Sequence, residues 1–182
     1  GLSSGAAFGA ALALTVAPLP LQPTAFVCAL LAVGMTYGIA RRKSGVPTIA
    51  LILSGVIVSA FFTALLTIVQ FLSDPFKLQT IVQWTMGNLH HASWAKVKSA
   101  LPGVITGYAG LYLMRWRMNV IALGDDETRA VGRNPEREKA LILFPAALVA
   151  SAAVAVAGIV GMVGLVLPHV VRMAMGPDNR QS

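Results

Sequence analysis

Few residues in this 182-residue chain are of types that carry chemistry. His90 and His91 are adjacent, so a helix turns them to different faces and they make a poor metal pair. His169 and Arg172 lie near the end of the last apolar run. His169 is open to a ligand role or to an ordinary hydrogen bond with a neighbour, and Arg172 is placed to snorkel to an interface. Cys28, the single cysteine, sits in an apolar run and reads as a small packing residue; alone it makes neither an internal disulfide nor a cysteine metal cluster. The densest run of acids is Asp125-Asp126-Glu127, in a polar stretch. No P-loop, dinucleotide fingerprint or H-E-x-x-H occurs, so the sequence offers no nucleotide-hydrolysing site of its own.

The elements that must position these residues are apolar. The chain is 56% hydrophobic and 12% charged, with a mean hydropathy of +0.73, more apolar surface than a soluble domain of this length can hide. The fold class expected is all-α: a polytopic helical membrane protein with about six transmembrane helices. The spans are Leu2 to Val16, Thr24 to Ala40, Pro47 to Leu72, Val97 to Met114, Ala140 to Ala157 and Val160 to Met175. Leu78 to Leu89 is amphipathic and too short to span, so it reads as an interfacial or re-entrant helix. The chain opens inside an apolar segment and without Met, which reads as an internal piece of a longer protein.

The net charge of +7 does not point to nucleic acid, because the charges sit in short blocks between apolar runs, without the aromatic-basic interleaving that a single-strand binder needs. With six spans both ends lie on one side. That side holds residues 41–43, 115–139 and the tail from Arg172, and so 11 of the 14 Lys and Arg. The positive-inside rule places both ends and the 115–139 segment in the cytoplasm. The apolar runs hold no Asp or Glu, which argues against an ion-coupled carrier. A channel, or a transporter powered from outside the membrane, remains.

Two patterns stand out among the uncharged residues. Gly1, Gly5 and Gly9 recur every four residues, spacing that lets helix backbones approach closely in lipid. Gly55, Ser59, Thr63 and Thr67 form a stripe on the third span. It either packs on a neighbouring helix or lines a path for a bulky solute. In the polar segment, Gly124 with Asp125-Asp126-Glu127 makes a helix start, with acids at the positive end of the dipole. Gly132 suits a helix stop and Pro135 the start of a second short helix. The result is either a compact knob at the membrane surface or a solvated connecting loop.

These motifs, in this order, resemble the permeases of ABC importers for iron-siderophore, haem and cobalamin. Gly1-Leu-Ser-Ser-Gly-Ala-Ala-Phe-Gly-Ala10 resembles the start of that family's third span, and Leu53-Ser-Gly-Val56 the start of its fifth. Trp84-Thr-Met-Gly-Asn-Leu89 with Ser93-Trp94 is similar to its W-x-M-G-x-L…W segment. Leu123-Gly-Asp-Asp-Glu-Thr-Arg-Ala-Val-Gly132 resembles its coupling segment, L-G-x-x-x-A-x-x-L-G. Most specific is Gly161-Met-Val-Gly-Leu-Val-Leu-Pro-His-Val-Val-Arg172 with Gly176-Pro-Asp-Asn-Arg180, similar to G-F-x-G-L-x-x-P-H-x-x-R…G-x-D-x-R. Two departures are mild: Thr128 stands where Ala is common, and Met162 replaces Phe.

The resemblance covers the whole chain and implies spans three to eight of ten in a partial transmembrane domain, 1–182. It implies that residues 115–139 form a cytoplasmic coupling segment. There Asp126, Glu127, Arg129, Gly132, Asn134 and Arg137 would serve an ATPase subunit. Val46, Pro47 and Thr48 would lie at an inner gate, and Gly55, Ser59, Thr63 and Thr67 on the translocation path. Pro168, His169, Arg172, Gly176, Asp178 and Arg180 would be the family signature. No cofactor is implied on this chain; ATP-Mg would sit on the partner. The implied partners are the ABC ATPase, a periplasmic or surface substrate-binding protein docking outside this segment, a second permease copy or a paralogue, and the bilayer of a bacterial inner or plasma membrane. The expected function is that of a permease subunit moving an iron chelate, haem or cobalamin, without catalysis of its own. The alternative is an ATPase-independent channel or secondary carrier.

Overall fold

The computed structural model describes residues 1–15, 19–41, 47–87, 93–122, 124–130, 132–159 and 173, with the backbone alone at 119, 120, 122 and 125–127. Eight helices follow one another among them: α1 Leu2–Thr15, α2 Leu21–Ala40, α3 Thr48–Leu72, α4 Pro75–Thr85, α5 Trp94–Leu113, α6 Arg115–Ala122, α7 Asp125–Ala130 and α8 Pro135–Ala157. No strand occurs among the described residues.

Helix α2 starts at Leu21, three residues before the expected Thr24, because proline is tolerated in a first turn, where the N–H it lacks has no partner anyway. The turn closes as the Thr24 N–H and hydroxyl both donate to the Pro20 carbonyl, at 3.2 and 2.8 Å. Helix α4 is the short amphipathic element between the third and fourth spans, ending at Thr85 instead of Leu89. Helix α5 is capped by Ser93, whose hydroxyl accepts from the Lys96 N–H at 3.4 Å.

Helices α2, α3 and α8 are long and apolar enough to cross a membrane. At 25 residues, α3 is about 37 Å long against a hydrocarbon core of about 30 Å. Helix α1 is apolar but shorter. Helix α5 has 20 residues, but Lys96 and Lys98 in its first turns make it less apolar. The expected sixth span, Val160 to Met175, lies outside the described residues but for Met173. Large apolar side chains face outward, with Phe71 88% and Phe76 85% exposed, as suits lipid or a further protein surface.

The core is built of small residues. In lipid, helices associate by close packing because the tails are as apolar as Leu. Ala10, Ala25 and Ala155 join α1, α2 and α8; Ala32, Val58 and Phe62 join α2 and α3 and are backed by Phe8. The glycine repeat on α1 is the close-approach face. A Cβ on Gly5 would lie 2.6 Å from the Ala32 Cβ and 2.7 Å from the Cys28 carbonyl, and one on Gly9 2.7 Å from the Thr24 carbonyl. Cys28 is buried there, as a packing residue should be. A second seam joins α5 to α8, where a Cβ on Gly107 would lie 2.7 Å from the Pro145 carbonyl.

Contacts between sequentially remote residues sort the helix ends. Lys77 Nζ donates to the Thr15 carbonyl at 3.1 Å, and Ser99 Oγ to Gln22 Oε1 at 2.6 Å. Gly87 abuts Ile159, and Gly158 abuts Trp84. These contacts gather Lys77, Lys96 and Lys98 at one end of the bundle. At the other end Gly1 meets Thr36, and Arg117 meets Glu138. Arg41, Arg115, Arg129, Arg133 and Arg137 belong to that end by chain alternation. Successive spans therefore run antiparallel, as the charge pattern required.

Candidate functional site

The basic end of the bundle carries a folded knob between α5 and α8. Helix α5 stops at Met114, whose N–H is shared by the Gly110 and Leu111 carbonyls at 3.1 Å, and α6 begins at once. The Arg115 guanidinium lies 4.7 Å from the centre of the Tyr112 ring, a cation–π contact across that junction.

Helix α7 is a six-residue turn with defined ends. Thr128 is fully buried, and its hydroxyl donates to the Gly124 carbonyl at 2.6 Å. The hydroxyl that distinguishes this position from Ala is thus absorbed by local backbone. At the other end the Gly132 N–H donates to the Arg129 carbonyl at 2.9 Å and the Arg133 N–H to the Thr128 carbonyl at 3.1 Å. That pair of bonds is a Schellman closure, which puts its glycine in the left-handed region; Gly132 has φ 77°. The helix stop expected at Gly132 is therefore present for the expected reason.

Pro135 does not open a second short helix. It is the first residue of α8, which continues without a break to Ala157. Asn134 caps it, its Oδ1 accepting the Glu136 N–H at 3.0 Å, and the proline fits the first turn. Only residues 131–134 separate α7 from this membrane-length helix, with the Gly132 closure and the Asn134 cap among them.

Glu138, one turn into α8, is 6% exposed. Its Oε1 accepts from Arg133 Nη1 at 3.0 Å, and both of its oxygens accept from Arg117 Nη1 at 3.2 Å. Arg117 belongs to α6 and Arg133 follows α7, so one buried carboxylate gathers both flanks of the knob onto the base of α8. The sequence reading missed this cluster. Its trace was an acid between Arg137 and Lys139 that falls inside a span-length helix once α8 begins at Pro135.

Of the expected coupling residues, Arg129 and Arg137 are exposed, Gly132 makes the closure and Asn134 the cap. Asp126 and Glu127 lie on α7, with side chains outside the described residues. At the expected gate, Val46 is outside the described residues, Pro47 caps α3 and Thr48 starts it. Thr48 and Gly55 line a groove of about 420 Å³ with Val33 and Thr36 of α2 and Leu143 and Ala147 of α8.

The stripe on α3 separates from the face that packs. Ser54, Val58 and Phe62 are buried toward α1 and α2. Gly55 and Ser59 are half-buried, and Thr63 and Thr67 are exposed. The Thr63 hydroxyl donates to the Ser59 carbonyl at 2.8 Å and that of Thr67 to the Thr63 carbonyl at 2.9 Å. With the Thr63 and Thr67 donors satisfied by their own helix, that part of the face presents little hydrogen-bonding demand to whatever it meets.

The expected signature residues Pro168, His169, Arg172, Gly176, Asp178 and Arg180 lie outside the described residues, as do His90 and His91. Among the described residues no three His, Cys, Asp or Glu side chains gather as a metal site would need.

The model of the FecCD transport family matches residues 1–182. The chain is 39% identical over 183 residues to the cobalamin import system permease protein of Halobacterium salinarum, covering 99% of this chain and 49% of that protein. It is 37% identical over 178 residues to a Helicobacter pylori protein named "Probable iron chelatin transport system permease protein", covering 98% and 54%. A solved structure described as an inward-facing conformation of a metal-chelate type ABC transporter superposes with a TM-score of 0.87 at 29% identity, covering 97% of this chain and 57% of that one. The chain thus spans about half the length of the curated relatives it matches.

Proposed function

This chain belongs to the FecCD transport family, and we propose that it is part of the membrane subunit of an ATP-driven importer for a metal chelate, haem or cobalamin. The observation that carries the reading is the α7 knob, held four residues from the start of α8, with Arg117 and Arg133 on its two flanks ion-paired to Glu138 at the base of that helix. A knob of that build transmits force. A solvated connecting loop would not need a buried carboxylate to hold it.

The knob meets a separate ATPase subunit on the cytoplasmic face, and ATP-Mg stays on that partner. Asp126, Glu127, Arg129 and Arg137 serve the coupling to it, while Gly132 and Asn134 hold the knob's shape. ATPase closure pushes the knob, and α8 moves with it. Helix α5 follows, because the glycine seam leaves no slack between the two. The grooves of about 420 and 380 Å³ between α8 and the α2–α3 side give room for that shift. Gly55, Ser59, Thr63 and Thr67 line the solute's path, where an uncharged surface favours release. Pro47 and Thr48 lie at its inner mouth. A second copy or a paralogue completes the path, and a binding protein delivers the solute from outside.

The test is reconstitution of the full-length permease with and without its co-purified ATPase. Cyanocobalamin, haemin and a ferric hydroxamate are offered together, and entry of cobalt and iron into the vesicles is counted by mass spectrometry. Metal entry that requires both the ATPase and ATP is the expected result. Entry through the permease alone contradicts the proposal and indicates a channel or carrier.

A further inference from the structure

We infer that Glu138 is the positioning residue that makes the knob and α8 a single moving part. This rests on the coupling reading of the site but goes beyond it, since Glu138 does not have to touch the ATPase. Three observations carry it. The carboxylate is 6% exposed, yet both its partners are guanidinium groups about two-fifths exposed. The partners approach from opposite flanks of α7, 21 and 5 residues before Glu138 in sequence. The helix that carries Glu138 is continuous from the knob to the far end of the bundle.

Held by one carboxylate, Arg117 and Arg133 are drawn together beneath α7. Without its charge, two cations face each other at short range and the flanks spread. A neutral amide of the same size keeps the packing volume but removes the charge-assisted bonds. Helix α7 then keeps its own Schellman closure, which does not involve Glu138, and still binds its partner. What fails is transmission: the knob moves without carrying α8.

The experiment uses the complete transporter, permease with ATPase, in vesicles, measuring ATP hydrolysis and cobalt-plus-iron entry from the same three-solute mixture. E138Q is expected to keep its ATPase activity while metal entry per ATP falls roughly fivefold, the scale on which one screened ion pair shifts a two-state balance. E138D, which keeps the charge, is expected to stay within about twofold of the unsubstituted protein on the same scale. R133Q alone lowers the ratio, but adds no further loss on top of E138Q, because the pair is already broken. Unchanged metal entry per ATP in E138Q overturns the inference. So does a fall of hydrolysis and entry together in proportion to assembled complex, or equal loss in E138D. If the unsubstituted transporter shows no ATP-driven entry, the coupling reading itself fails, a result separable from the first three.

Discussion

Replacing Gly107 by Ala adds one methyl group to the α5–α8 seam, and its consequence can be worked from the geometry. The new Cβ would lie 2.6 Å from the Val149 Cγ2, 2.7 Å from the Pro145 carbonyl oxygen and 3.1 Å from the Val149 nitrogen. Ordinary contact begins at 3.4 Å, so the helices must part by about 0.7 Å. Val149 can change rotamer, but the Pro145 carbonyl is helix backbone and cannot turn aside. The expected cost is about 1–3 kcal/mol, the range for one extra methylene in a filled core. Gly103→Ala is the internal control. Its Cβ would meet the Ala152 Cβ at 3.0 Å, with the next atom at 3.7 Å, so a few tenths of an ångström suffice. Alanine's helix preference over glycine, about 1 kcal/mol, offsets that cost. Thermal loss of monodisperse full-length permease in detergent, followed by size-exclusion chromatography, reads the difference. Gly107→Ala should fall well below the unsubstituted protein while Gly103→Ala stays near it. Equal stability for both variants, or the reverse order, refutes the packing argument.

Gly132 has open space around its missing Cβ, so Gly132→Ala costs only the strain of a left-handed φ, about 1–2 kcal/mol. It should fold and bind the ATPase but take up less metal per ATP, whereas Gly132→Asn, which tolerates that φ, should lose less; measuring both in vesicles checks the order. Gly158→Ala should be harsher, since its φ is 75° and its Cβ would press on the Trp84 carbonyl and lie 2.9 Å from the Gly87 Cα. A yield of folded protein equal to the unsubstituted level would count against that contact. Thr63→Val and Thr67→Val remove hydroxyls bonded only to their own helix, so stability should change by less than about 0.5 kcal/mol. If the stripe lines the path, metal entry slows in both variants while ATPase binding holds; unchanged entry removes those residues from it.

Much of this was legible in the residues because each local signal had one physical solution. Gly1, Gly5 and Gly9 read most simply as a close-approach face in an apolar helix, and Gly132 stops α7 through the closure its type permits. The charge blocks gave the alternation of spans that the remote contacts repeat. Other features were hidden because they depend on three-dimensional pairing. Pro135 suits the first turn of a short helix and of a long one equally, so the sequence did not show that the helix opening there is the span itself. Glu138 looked like one more charge in a polar stretch, because its partners lie 21 and 5 residues away. The seam of Gly103, Gly107 and Gly110 was obscured by Pro102, which sits inside the helix. On α3, four-residue spacing placed Gly55, Ser59, Thr63 and Thr67 on one face, but the register against α1 and α2 was needed to show that Ser54, Val58 and Phe62 are the packed face.

The central claim is that the knob stands on the cytoplasmic face, where a separate ATPase grips it. Arg129 is exposed on α7 and Cys28 is the one cysteine of this chain, so R129C in a full-length permease cleared of every other cysteine, Cys28→Ala included, gives one reporter there. A membrane-impermeant maleimide applied to sealed vesicles of each orientation reads its side. The account predicts labelling in inside-out vesicles only, and loss of that labelling when the ATPase subunit is bound. Labelling in right-side-out vesicles, or labelling that the bound ATPase leaves unchanged, contradicts it.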